Sequence, residues 1–104
     1  MKRKNRKNRK DTFREIEEVL GSKGRLRILK SLISNPHYDP ALTVFRLRVL
    51  TGLKHNSVET HLQTLMKWQW VKEIRINGGR KYKVEKDRAQ IKALTQFFKK
   101  TGCI

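Results

Sequence analysis

Apolar side chains recur at helical spacing in five stretches of the chain and alternate with polar ones in two more. Phe13, Ile16 and Leu20 fall at i, i+3 and i+7, one face of a helix over residues 12–20, with Asp11 placed to cap it and Gly21 to stop it. Ser22 then offers an N-cap for a second helix over 23–34, whose stripe is Leu26, Leu29, Leu32 and Ile33. Arg25, Arg27 and Lys30 lie largely off that stripe. The prolines of Asn35-Pro36-His37-Tyr38-Asp39-Pro40 make this segment a loop, because each breaks helix and restricts the residue before it.

Residues 41–43 are expected to form a short strand, and Thr43 to cap a third helix over 44–51 with Leu47 and Leu50 inward. Gly52 ends that helix, where a left-handed C-cap is easiest for glycine. After the apolar Leu53, a fourth helix runs over 55–69 with Val58, Leu62, Leu65 and Met66 as its core face. Two strands follow, 71–76 and 81–84, in which Ile74 shares a face with Ile76 and Tyr82 with Val84. Asn77-Gly78-Gly79-Arg80 between them is a strong hairpin signal, since the glycines tolerate positive φ. A last helix over 87–100 carries Ile91, Leu94 and Phe98 on one stripe with Phe97 beside it. Trp68 and Trp70 bracket the end of the fourth helix and are read as packing residues, one against the hairpin and one toward a partner chain.

The informative unit is the pair of helices over 44–51 and 55–69. They are joined by a turn of a few residues at Gly52, an arrangement in which one helix crosses a nucleic-acid backbone and the next offers its first residues to base edges. At about 100° per residue, with Val58 set toward the core, Asn56, Thr60, Gln63 and Lys67 point outward and Ser57 and Thr64 flank them. Amides bond adenine in bidentate fashion and hydroxyls bond several base edges, so this row has the chemistry of base reading. Glu59 is the odd member, suited to accept from cytosine or to hold a nearby cation.

Charge strengthens this reading. The 104 residues contain 26 Lys and Arg against 9 Asp and Glu, a formal +17, and self-repulsion on that scale implies an anionic partner. Seven of the first ten residues are basic: Lys2, Arg3, Lys4, Arg6, Lys7, Arg9 and Lys10. Such a block is expected to be a disordered arm over 1–10 that follows phosphates or enters a minor groove. Without it, 19 basic residues face the same 9 acidic ones, so the remaining chain is still +10.

Three segments together are similar to the winged-helix regulators of the ArsR/MarR type, especially small archaeal members. Residues 47–65, LRVLTGLKHNSVETHLQTL, resemble the helix-turn-helix core, with the Thr51-Gly52-Leu53 turn and the Val58, Leu62, Leu65 spacing as its best markers. Residues 22–29, SKGRLRIL, resemble the helix that opens that domain, and Trp70-Val71-Lys72-Glu73, the NGGR hairpin and Lys81-Tyr82-Lys83-Val84 resemble its wing. The resemblance spans residues 22 to 84 and implies an α+β, mostly α fold: a winged helix-turn-helix over 11–86 with a two-stranded wing, then a C-terminal helix over 87–104. It implies base and phosphate contacts at His55, Asn56, Ser57, Thr60 and His61, with Lys54 at the helix start where Ser or Asn is more usual, and wing-tip contacts at Arg80 and Lys81.

The expected function is therefore a sequence-specific, duplex-DNA-binding transcriptional regulator, a repressor, acting as a homodimer. The alternative is an architectural or plasmid-partition protein that coats DNA with little sequence choice. The dimer is expected to form through the C-terminal helix, with Ile91, Leu94, Phe97 and Phe98 as surplus apolar surface and Cys103 placed to lock it. A single cysteine excludes an internal disulfide and thiol-rich metal sites, and His37, His55 and His61 are not spaced as ligands, so no metal or cofactor is expected. No nucleophile, base and orienter assemble into a catalytic set, so no enzyme is expected, and no small-molecule ligand is evident. No apolar run approaches the roughly 20 residues of a membrane span, and a cytoplasmic, DNA-associated protein is expected.

Overall fold

The structure, a computed structural model, describes residues 9–34 and 41–104, the side chains of residues 9 and 10 excepted. In chain order its elements are α1 (Arg9–Leu20), α2 (Lys23–Ser34), α3 (Val44–Thr51), α4 (His55–Lys67), β1 (Val71–Ile76), β2 (Gly79–Val84) and α5 (Ala89–Lys100). The expected loop over 35–40, with His37, and the arm residues Lys2, Arg3, Lys4, Arg6 and Lys7 lie outside the described residues. Arg9 and Lys10, assigned to the arm by sequence, instead open α1. Asp11 accordingly lies within the first turn rather than capping it, where a carboxylate still complements the helix dipole.

Local chemistry accounts for most boundaries. The Ser22 hydroxyl accepts from the Arg25 N–H at 3.2 Å and opens α2, and Thr43 does the same for α3 through the Arg46 N–H at 3.1 Å. Gly52, at φ 77°, returns its N–H to the Arg48 carbonyl and closes α3 in the left-handed conformation. α4 stops at Lys67, two residues earlier than expected, because Gln69 adopts φ 65° and turns the chain toward β1.

β1 and β2 pair antiparallel, with Ile76 opposite Gly79 across a two-residue turn in which Asn77 and Gly78 both have positive φ. Val71 faces Val84 and Glu73 faces Tyr82, so these four share the inner side of the hairpin. Ile74 and Ile76 do lie on one face, but it is the outer one, and Ile76 is exposed. The strand expected at 41–43 is reduced to one bridge, in which Leu42 and Tyr82 exchange N–H···O bonds of 2.8 Å and tie the start of α3 to the hairpin.

One core runs through the molecule, drawing on Val19, Ile28, Leu29, Leu47, Val58, Leu62, Leu65, Trp70, Tyr82 and Phe98. Several side chains depart from the expected stripes. In α1 the buried residues are Val19 and Glu15, while Phe13 is exposed. In α3 the inward line runs through Leu47 and Thr51, whose hydroxyl bonds the Leu47 carbonyl at 2.6 Å, and Leu50 is turned outward. Residues i and i+4 share a helix face just as i and i+3 do, and α3, packed against α2 and α4, turns the i, i+4 pair inward. Ile91, Leu94 and Phe98 are buried in the core of a single chain, which corrects their assignment as surplus surface. They belong to the same core cluster as the side chains of the other helices, and only Phe97 and Cys103 of the expected dimer set are exposed.

Candidate nucleic-acid interface

The α3–turn–α4 unit is held rigidly from within. The Thr51 hydroxyl donates to the Leu47 carbonyl and accepts the Leu53 N–H at 3.2 Å, so one side chain spans the end of α3 and the turn. Val58, Leu62 and Leu65 bury the inner face of α4. That orientation leaves Asn56, Thr60, Gln63 and Lys67 exposed on the opposite face and Ser57 partly so. The amides of Asn56 and Gln63 and the hydroxyls of Ser57 and Thr60 make no hydrogen bond with any described residue. Lys54 precedes α4 in extended conformation and supplies no side-chain cap, so the first N–H groups of α4 are open beside the exposed His55 and Asn56.

Not every expected residue joins this row. His61 lies three residues from Val58 and so turns toward α2 rather than outward. Its ring rests on Gly24, where the methyl group of an alanine would collide with Nε2. Its Nδ1 lies 3.1 Å from a guanidinium nitrogen of Arg25, whose Nε in turn donates to the Glu18 carbonyl at 2.9 Å. Burial, and then the neighbouring Arg25 charge, hold the His61 pKa below the usual imidazole value. The neutral ring therefore accepts at Nδ1. Lys67 is exposed, but its ammonium lies 3.4 Å from both Glu18 carboxylate oxygens and 5.1 Å from the centre of the Trp68 ring. It ends the row leaning on α1.

At the hairpin, Arg80 is half-exposed and Lys81 partly buried. Arg80 reaches back to α4, where its guanidinium lies 3.6 Å from Glu59 Oε2; His55 Nε2 lies 3.4 Å from the same oxygen. Burial pushes the Tyr82 phenol up, inside the cleft between hairpin and α4.

The residues that position this surface include several that sequence reasoning missed. Glu15 is fully buried and receives the Trp70 indole N–H, the Arg88 guanidinium at 2.9 Å and the Gln90 amide at 3.4 Å. One turn on, Glu18 receives the Trp68 indole N–H at 3.0 Å. The Trp68 bond, aided by Lys67, holds the Glu18 carboxyl below the usual carboxylate range. Both tryptophans thus fasten α1 to the end of α4 and the start of β1. The available signal was chemical: a buried indole N–H wants an acceptor, and α1 carries Glu15 and Glu18 at i, i+3.

Helix α3, a tight turn, α4 packed across it and a two-stranded hairpin define the winged helix-turn-helix fold. Solved structures of that kind superpose on nearly the whole chain. HlyU from Vibrio cholerae matches with a TM-score of 0.72 and 19% identity, covering 99% of this chain and 100% of the other. The transcriptional repressor BigR from Xylella fastidiosa matches at 0.72 and 17%, covering 100% and 99%. The homodimeric winged helix-turn-helix DNA-binding domain of Mb0332 from Mycobacterium bovis, a possible ArsR-family regulator, matches at 0.68 and 18%, covering 96% and 90%. At such identities the likeness is one of fold. No protein-family model matches the sequence, and no curated protein is similar to it at a significant level. Among the described residues no helix is long and apolar enough to cross a membrane.

Proposed function

We propose that this chain binds duplex DNA in a sequence-specific way as a homodimer and regulates transcription, as a repressor. α4 lies in the major groove and the wing lies on the backbone or minor groove. One observation carries the reading: on the helix that this fold presents, the side chains of Asn56, Ser57, Thr60 and Gln63 point outward with their hydrogen-bonding capacity open, on a chain of net charge +17. Lys54, His55, Arg80, Lys81 and the basic arm supply phosphate contacts around that row. The description of BigR as a transcriptional repressor and of the Mb0332 domain as a homodimeric DNA-binding domain supports the same reading.

The burial of Ile91, Leu94 and Phe98 redraws the dimer face. α1, α2 and α5 together leave an apolar groove of about 740 Å³ lined by Ile16, Leu20, Leu26, Ala93 and Phe97. A two-fold axis through this groove buries it against its copy and carries two α4 helices to successive major grooves, about 34 Å apart. Selection from a random duplex pool, followed by affinity measurement across salt, tests the function. The expected product is one pseudo-palindromic site, bound more tightly than random DNA by about 10³-fold or more. Equal affinity for every duplex points instead to a DNA-coating protein, and no binding at low salt removes the proposal. Phe97→Asp is expected to give a monomer in light scattering with half-site affinity only.

A further inference from the structure

α4 carries a single carboxylate, Glu59, and it lies on the flank that faces the wing. Its Oε2 is within 3.4 Å of His55 and 3.6 Å of Arg80. Both partners belong to the surface assigned above to DNA, so Glu59 links the two halves of that surface, helix and wing. It lines a small cleft of about 100 Å³ together with Gln63, Met66, Glu73, Arg80 and Tyr82. The other wing arginine, Arg75, is engaged separately by Glu73 at 3.0 Å. A carboxylate in this place works against affinity: it repels phosphates and competes with them for Arg80. Its contacts are long and partly exposed, so they are weak enough for a well-placed ligand to break.

We propose that Glu59 is a specificity-determining residue that acts through Arg80, holding the guanidinium on α4 so that it does not join indiscriminate phosphate contacts. On arbitrary duplex, Arg80 stays with Glu59 and one fewer phosphate is neutralised. On the cognate site, α4 seats fully in the groove, the wing meets the backbone at fixed register, and Arg80 is transferred to phosphate. Glu59 is thus a positioning residue for the wing and a brake on non-specific binding. The inference rests on the DNA-binding reading given above.

Glu59→Gln keeps the shape and removes the charge, and its urea midpoint is expected to match that of the unaltered chain. Binding is read by fluorescence anisotropy on the full chain with a random-sequence duplex and with the pool-selected site, over a salt series. For random duplex the variant is expected to bind about two- to fivefold more tightly, the span of an exposed ion pair. Its plot of log K against log salt steepens by about 0.9, one further phosphate. Affinity for the selected site rises less, so discrimination falls. In an Arg80→Ala background the Glu59→Gln gain disappears. A gain that persists without Arg80 overturns the latch in favour of a general field effect. Weakened binding to the selected site alone overturns it in favour of direct base contact. An unaltered chain that binds no duplex defeats the underlying DNA reading, whereas an unchanged Glu59→Gln in a chain that binds defeats only the latch.

Discussion

Two sets of polar side chains, one gathered at the C-terminal end of α4 and one along its outer face, have opposite fates. Near its C-terminal end, Glu15 and Glu18 reach from α1 to the indoles of Trp70 and Trp68, with Arg88, Gln90 and Lys67 gathered around them. Along its outer face, from the first turn to Gln63 in the second half, Asn56, Ser57, Thr60 and Gln63 make no side-chain hydrogen bond to any described residue. The first set holds the molecule together and the second is held out by it. Buried hydrogen-bonding groups that a fold satisfies internally are structural, whereas groups left outward are open to water or to a partner. Polarity alone does not separate the two; burial and partnership do.

Breaking the inward set is expected to produce the largest effects. Glu15→Ala leaves a buried indole N–H without its acceptor and the Arg88 guanidinium without its carboxylate, with only the Trp68 carbonyl remaining to it, and a urea titration is expected to show a loss of about 3 kcal/mol. If the stability change were below about 1 kcal/mol, the inward cluster would be no more structural than the outward one. Gly24→Ala comes next. In an ordinary helix it would be favourable, but here the new Cβ meets the His61 ring, and destabilisation of about 1–3 kcal/mol is expected. Combining it with His61→Ala should recover most of that loss, as a double-mutant cycle will reveal.

Changes on the outward face sharpen the contrast from the other side. Asn56→Ala is expected to leave the urea midpoint within about 0.5 kcal/mol of the parent. It should nonetheless relax preference at one base pair by about 1–3 kcal/mol, measured with single-substitution duplexes. Equal loss on cognate and random DNA would sink its role in base reading.

Acid supplies the mildest perturbation. The folded His61 pKa is depressed below the usual 6.5, so the unfolded chain binds a proton more readily. Its stabilisation is complete above that value and declines as pH falls below it. Glu18 is depressed below 4.5, so its contribution is present above that value and is lost as pH falls through its lower folded value. Stability against pH is therefore expected to decline in two steps on acidification, and His61→Ala should erase only the upper one.

Much of the architecture was legible from the chain. The bounds of α2 and α3 follow from Ser22, Thr43 and Gly52, each a local signal whose chemistry does not depend on distant contacts. The Asn77-Gly78 turn likewise announces the hairpin, and the period of Val58, Leu62 and Leu65 gives the buried side of α4 and hence the outward row. What stayed hidden depends on tertiary packing. A two-stranded pattern cannot say which face is inner, and the pairing of Val71 with Val84 put Ile74 and Ile76 outside. A helix angle places His61 near the core edge, yet only the absence of a side chain at Gly24 shows that α2 comes close enough to hold its ring. Glu15 reads as a surface residue until Trp70 and Arg88 meet it. The apolar residues of α5 look superfluous in the sequence because it does not reveal how much of a core remains uncovered.

The chain has two tryptophans, and both donate their indole N–H to carboxylates of α1. Their emission is therefore a native optical gauge of how that helix is seated. Lifting α1 would wet two chromophores at once, shifting the spectrum to longer wavelength while the rest of the fold stayed intact. Seating or release of α1 thus becomes visible without any attached label.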